Sequence, residues 1–160
     1  MRNILSKKNM QVIICTKRND FKNNEKNVKI VKTIDEGIAE RPDIAFVTNE
    51  TSYHVNTAIK LAKEGIDLFI EKPLSSSTNG IKKLKKIVKD NGIISLIGCD
   101  HRFHPCLKKI KEVIDKKRLG RIMSVQVESS SLLSDWHPYE DYRKGYSAKE
   151  ELGGGIAMTM

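Results

Sequence analysis

Apolar residues form short continuous runs along the chain, and polar stretches with helical spacing separate them. The runs fall at residues 10–15, 28–31, 44–47, 67–70 and 93–98. Runs of this length that are bounded by turn residues are typical of buried strands. They predict five strands, of which those at 44–47 and 67–70 are expected to be buried.

The segments between the runs predict amphipathic helices. Thr33 and Glu36 have the spacing of a capping box, so a short helix should start there. Thr51 or Ser52 is the expected cap of the next helix, and Pro105 stands at the first turn of the last one. The apolar positions of the three longer helices are Val55, Ala58, Ile59 and Ala62, then Ile81, Leu84, Ile87 and Val88, then Leu107, Ile110, Val113 and Ile114. Alternating strands and helices predict an α/β, Rossmann-like doubly wound parallel sheet.

The pattern changes after Gly120. Residues 122–127 have the composition of a longer strand, and a polar segment rich in aromatic residues continues to Tyr146. We therefore place a domain boundary near Leu119. Residues 1–119 are expected to form the dinucleotide-type domain, and residues 120–160 to begin an α+β second domain.

The fourth run ends on Glu71-Lys72-Pro73. Proline fixes its own φ and favours an extended conformation for the residue before it, so Lys72 should be held at the strand's carboxyl end. In an open α/β sheet, ligands bind at that end. The alternative is an ordinary strand-to-helix turn with a solvated lysine.

Composition narrows the class of protein. The net charge is +9, but many of the lysines fall on the polar faces of predicted helices, and only 6% of residues are aromatic, so nucleic acid is not the expected partner. No apolar run approaches the ~20 residues that span a bilayer, and no secretory signal is expected from the first eight residues. Cys15, Cys99 and Cys106 are expected to be reduced and mostly buried thiols of a cytoplasmic protein.

Several motifs in order resemble one family. Glu71-Lys72-Pro73-Leu74 resembles a signature of the glucose–fructose oxidoreductase and inositol dehydrogenase family (Gfo/Idh/MocA), and further stretches match it at residues 42–49, 54, 101–105 and 152–155. The resemblance covers nearly the whole chain. It implies an NAD(P)-dependent oxidoreductase that acts on a hydroxyl or ketone of a sugar, sugar derivative or cyclitol, and a homo-oligomer in the full-length parent.

The resemblance also implies roles for the residues around Lys72. Lys72 itself would lie near the nicotinamide and the substrate hydroxyl, where burial would tune its ammonium for proton transfer. Glu71 would meet the cofactor's ribose, or else pair with a nearby lysine. Thr48 and Asn49 would face the cofactor, although both are common in turns. His54 either touches the dinucleotide or is a packed, hydrogen-bonded histidine.

Other candidates lie further away. Arg18 follows the strand where NAD-preferring folds carry an acid, so it tilts the expectation towards NADP, unless it is a solvated loop cation. Arg102 and His104 are expected to line the cleft, Arg102 towards the cofactor. Trp136 and Tyr142 offer sugar-like contacts. His101 and His104 lack the further ligands of a metal site, so no metal is expected.

One motif of dinucleotide folds is missing. The 160 residues contain no G-x-G-x-x-G turn, and residues 1–9 have the pattern of the end of a helix after such a turn. In the family's strand order the missing strand is central, so the strands near residues 12 and 29 should not join those near 45 and 69. We expect a chain truncated at both ends and inactive by itself. The alternatives are a compact stand-alone domain, a non-catalytic remnant or a basic binding module.

Overall fold

The structure is a computed structural model that describes residues 10–19, 21, 25–130, 132, 135, 141–155 and 157. Strands and helices alternate along it. The strands are β1 (Val12–Cys15), β2 (Val28–Val31), β3 (Ile44–Val47), β4 (Asp67–Glu71) and β5 (Ser95–Gly98). The helices are α1 (Ile34–Ala39), α2 (His54–Lys63), α3 (Ile81–Asp90) and α4 (Pro105–Asp115), with short 3-10 turns at Thr51–Tyr53, Asp100–Phe103, Tyr146–Ala148 and Glu150–Leu152.

The strands of the described residues form two parallel sheets. One pairs β1 with β2, and the other has the order β3-β4-β5. Phe46 of β3, Phe69 of β4 and Leu96 of β5 are in register. Parallel strands joined through helices confirm the predicted Rossmann-like α/β class, and the expected gap between the two sets of strands is present.

The core lies between the three-stranded sheet and the helices α2 and α3. Leu68 and Ile70 of β4 are 1% and 2% exposed. They pack in one cluster with Val47, Ala58, Leu61, Ala62, Ile66 and Leu84. Residues i and i+2 of a strand share a face, and i, i+3 and i+4 share a helix face, so these patterns meet. The predicted apolar faces of α2 and α3 are confirmed.

One of the predicted helix N-caps is confirmed and another is wrong. The Thr33 cap is confirmed, since its hydroxyl accepts from the Glu36 N–H at 3.2 Å, and Glu36 accepts from the Lys32 N–H at 3.0 Å. The predicted cap at Thr51 or Ser52 is wrong. Those residues form a 3-10 turn, which moves the cap position to Tyr53, and their buried hydroxyl oxygens have no hydrogen-bond partner.

Three further expectations are corrected. The predicted inward residues Leu107, Ile110 and Ile114 of α4 are exposed, because no described element covers that face. Residues 122–127 form no strand, since no described strand pairs with them. The three cysteines are free but exposed rather than buried. The domain boundary near Leu119 stays a prediction.

No helix of the described ranges combines the length and the apolar character that a membrane span requires.

Candidate functional site

The turn after β4 places two charged residues at the carboxyl edge of the sheet. Glu71 ends the strand and is partly buried, while Lys72 is exposed. The Lys72–Pro73 peptide bond is cis. Lys72 therefore stands where ligands of parallel α/β sheets bind, but without the burial that the sequence argument invoked.

A cavity of about 300 Å³ opens beside this turn. Its walls come from the carboxyl ends of the adjacent strands β4 and β5 and from the 3-10 turn after β5. They are formed by Phe69, Glu71, Lys72, Leu96, Ile97, Gly98, Cys99, Asp100 and Phe103. Apolar walls with a few polar groups are typical of small-molecule sites.

Gly98 is a position in that wall where there is no space for a side chain. A Cβ on this residue would lie 2.9 Å from the Phe69 ring and 3.0 Å from Glu71 Oε2. Any larger residue would press into both side chains. The glycine thus lets β5 approach Glu71 and keeps that corner of the cavity open.

The charges at the cavity are of both signs. The carboxylates of Glu71 and Asp100 and the ammonium of Lys72 lie among its lining residues. Carboxylates accept hydrogen bonds from hydroxyls, and an ammonium donates to an oxygen. The wall therefore has the polar groups to bind a ligand with several hydroxyl groups.

The turn after β3 carries the next two predicted residues. Thr48 is exposed. The side-chain amide of Asn49 donates to Thr57 Oγ1 at 3.1 Å, which ties the turn to α2. In the described structure the Asn49 side chain is therefore engaged with the helix.

His54 is the first residue of α2 and is 1% exposed. Its ring nitrogen Nδ1 lies 2.9 Å from the carbonyl oxygen of Pro73, and Nε2 lies 2.8 Å from that of Asn49. Of the two sequence-based alternatives, this geometry is that of the packed, hydrogen-bonded histidine.

The remaining predicted residues are spread over the molecule. Arg18 is exposed after β1 of the two-stranded sheet. Arg102 and His104 flank Phe103 but are not part of the cavity wall, and His104 Nδ1 instead accepts from the Cys106 N–H at 3.3 Å. Tyr142 lies under the guanidinium of Arg143, with 5.9 Å from Cζ to the ring centroid. Trp136 lies outside the described residues.

Sequence reasoning missed Gly98, Asp100 and Phe103 as parts of the cavity wall. Phe103 lies within residues 101–105, which the motif did single out, and Asp100 directly precedes them, so position in the chain was a usable signal. Gly98 had none, because its role comes from Phe69 and Glu71 on the neighbouring strand.

Two other features of the described residues bear on the choice of site. A depression of about 770 Å³ lies at the amino ends of β3 and β4, between Arg41, Asp43, Glu64 and Asp67 among others. It is at the wrong edge of a parallel sheet for a ligand site. Within the described ranges, no group of three or more His, Cys, Asp and Glu side chains could hold a metal ion.

The sequence model of one family matches most of this architecture. It is the Gfo/Idh/MocA oxidoreductase family with an NAD-binding Rossmann fold, and the match runs over residues 3–99. The chain belongs to this family. The matched residues include β1 to β5 and the whole Glu71–Pro73 turn.

Individual relatives agree with that assignment. The chain is 34% identical over 79 residues to the scyllo-inositol 2-dehydrogenase (NAD(+)) of Bacillus subtilis, covering 49% of this chain and 23% of the relative. It is 27% identical over 118 residues to the D-xylose dehydrogenase of Paenarthrobacter nicotinovorans, covering 74% of this chain and 30% of that relative. Its fold matches the myo-inositol 2-dehydrogenase of Lactobacillus plantarum with a TM-score of 0.66 at 22% identity, over 76% of this chain and 38% of that one. The chain therefore spans less than a third of these two curated relatives.

Proposed function

We propose that this chain contributes the Lys72 side of the active site of an NAD(P)-dependent oxidoreductase. The reaction class is oxidation of a hydroxyl, or reduction of a ketone, on a sugar, sugar derivative or cyclitol. The observation that carries the proposal is the cavity at the carboxyl ends of β4 and β5, with Glu71 and Lys72 in its wall.

The residues present fit the nicotinamide-ribose part of such a cofactor. The cavity opens at the sheet edge where dinucleotides bind, and Gly98 keeps the wall beside Glu71 free of a side chain. Glu71 would accept hydrogen bonds from ribose hydroxyls, and the Thr48–Asn49 turn would flank the cofactor on the neighbouring strand. When bound, the nicotinamide supplies hydride transfer.

Lys72 has the chemistry that the substrate oxygen requires. During oxidation its Nζ would accept the proton that leaves the hydroxyl, and during reduction it would return that proton to the forming alkoxide. Its ammonium would also stabilise negative charge on the oxygen as it develops. Being at the end of a strand, Lys72 is presented by a part of the fold whose backbone is fixed by pairing.

The substrate class rests on similarity together with the polar wall. Relatives are named for inositol and xylose, and the cavity offers two carboxylates and one ammonium to hydroxyl groups. We propose His104, Trp136 and Tyr142 as substrate contacts and Arg102 as a cofactor contact, with residues 120–160 beginning the substrate domain. We also propose a cytoplasmic homo-oligomer.

The preference between the two cofactors is proposed from Arg18. Residues 16–18, directly after β1, include no acid at the place where a carboxylate would select the ribose 2′-hydroxyl of NAD, and the arginine there suits the 2′-phosphate of NADP. A relative is nevertheless named for NAD(+). Calorimetric titration of the natural gene product with both dinucleotides decides the matter, since tighter binding of NAD⁺ would overturn the preference for NADP.

The central test replaces Lys72 by alanine in the natural gene product that carries this sequence. We expect kcat to fall by about 100-fold or more with inositols or pentoses, as for loss of a proton-transfer group. Dinucleotide binding should change little. Lys83→Ala removes an exposed lysine from α3 and is the matched control. Equal turnover in the wild type and the Lys72 variant would remove the proposed role.

A further inference from the structure

The ring of His54 joins the carboxyl ends of two adjacent strands. Its Nε2 faces the carbonyl oxygen of Asn49, two residues after β3 ends. Its Nδ1 faces the carbonyl oxygen of Pro73, two residues after β4 ends. Both contacts have hydrogen-bonding length, at 2.8 and 2.9 Å.

We propose that His54 is a positioning residue, which fixes the distance between the Thr48–Asn49 turn and the Lys72–Pro73 turn. Its effect on turnover rests on the function proposed above, whereas its effect on the two turns does not. Through them it sets where Lys72 stands relative to the neighbouring strand end. It acts without touching a ligand.

Burial and hydrogen bonding together support this assignment. The residue is 1% exposed, so the ring offers no surface to a dinucleotide. Each ring nitrogen already faces a carbonyl oxygen, and the nitrogen that carries a proton donates to it. The ring therefore has no further polar atom for another partner. Its two partners are the two turns that hold the predicted site residues.

The fold explains why one side chain reaches both turns. β3 and β4 are parallel neighbours, so their carboxyl ends lie side by side at one edge of the sheet. α2 starts at this edge, and His54 is its first residue. A ring in that position lies between the turn that precedes α2 and the turn that follows β4.

Two substitutions of His54 test its two carbonyl contacts separately. An asparagine amide nitrogen occupies about the position of His Nδ1, and a glutamine amide nitrogen about that of Nε2. His54→Asn should thus keep the contact with the Pro73 carbonyl oxygen and lose the contact with that of Asn49, while His54→Gln should do the reverse. Asn91→Ala is the control. Asn91 directly follows α3, and its side-chain amide donates at 2.7 Å to the carbonyl oxygen of Ala62 near the far end of α2, so the variant removes a side chain–carbonyl bond away from the two turns.

Hydrogen exchange measured by mass spectrometry on the natural gene product tests the bridge itself. We expect faster exchange near residues 48–51 in His54→Asn and near residues 74–76 in His54→Gln, with neither change in Asn91→Ala. Unchanged exchange at both turns in both His54 variants would overturn the proposal.

Kinetics test the consequence for the reaction. We expect the His54 variants to lose about 10- to 100-fold in kcat, with a smaller change in KM, because displacement of a catalytic group slows the chemical step. Asn91→Ala should stay within about twofold of the wild type. A wild type without turnover would count against the proposed function and leave the exchange result to decide the positioning role. His54 and Asn91 variants that lose activity equally would reduce His54 to a general stabilising residue.

Discussion

The two faces of the three-stranded sheet differ sharply in burial. On one face β4 presents Leu68 and Ile70, which are 1% and 2% exposed under α2 and α3. On the other face Phe46 and Leu96 are each 47% exposed on either side of Phe69. Both faces are apolar. Described residues cover the first face at β4, although Ile97 of β5 is 41% exposed there, and they leave the second face open.

The difference in burial indicates which face of the sheet contributes more to the stability of this part of the fold. Burying a large aliphatic side chain contributes about 1.5–3 kcal/mol, and that contribution is concentrated on the α2–α3 face. On the open face the aromatic rings of Phe46 and Phe69 pack on each other, with centroids 5.3 Å apart. The open face is nevertheless next to the candidate site, because Phe69 and Leu96 also line the cavity.

The largest predicted effect separates the two faces directly. Leu68→Ala should lower the free energy of unfolding by about 2–5 kcal/mol, since it leaves a void in close-packed surroundings. Leu96→Ala removes the same atoms from the open face of the same sheet and should cost less than about 1 kcal/mol. Urea unfolding followed by circular dichroism measures both. Equal losses would mean that the open face is covered in solution.

The same contrast explains what the sequence could and could not predict. The Thr33–Glu36 cap was predictable, because its interactions lie within a few residues along the chain. The apolar face of α2 was predictable from its spacing, and the described core does cover it. The exposed face of α4 was not, since apolar spacing marks Leu107 and Ile110 as suited to burial without saying what covers them.

In the candidate site, too, some features could be predicted from the sequence and others could not. Lys72 at the end of β4 could be predicted, because a strand run and a following proline are local signals. The contact of His54 with Pro73 could not, because the two residues are 19 positions apart along the chain. Only the pairing of β3 with β4 brings the two turns within reach of one ring.

Two glycines allow the same comparison between a packed and an open position, and the expected effect on the free energy of unfolding is smaller. Gly153 and Gly120 both have positive φ, at +78° and +66°. A Cβ on Gly153 would lie 2.8 Å from Thr51 Cβ and 3.1 Å from the Ser52 nitrogen, whereas one on Gly120 meets nothing within 4 Å. Residues around Gly153 are thus packed on the turn before α2.

Alanine substitutions at these two glycines separate the cost of backbone strain from the cost of steric overlap. Gly120→Ala should cost about 1–2 kcal/mol for the left-handed backbone alone. Gly153→Ala should cost about 1–3 kcal/mol more, because overpacking is added to the strain. Thermal and urea unfolding provide the two values. A difference near zero would indicate that residues 150–155 do not pack against Thr51 and Ser52 in solution.

The smallest effect concerns the exposed capping residues at the start of α1. The N–H of Lys32 and the hydroxyl of Thr33 donate hydrogen bonds to the Glu36 carboxylate, and they hold the pKa of Glu36 below its ordinary value. Since the folded-state pKa is lowered, the stabilisation is fully present above the ordinary glutamate pKa of about 4.3 and is lost as the pH falls through the folded-state value.

Glu36→Gln should therefore be slightly less stable than the wild type at pH 7, and the difference should vanish in acid. Glu64→Gln removes an exposed carboxylate just after α2 and is the control for general charge effects. Urea midpoints measured at pH 7, 5 and 3 test this, and a Glu36 difference that is constant over that range would show that the cap does not depend on the ionised carboxylate.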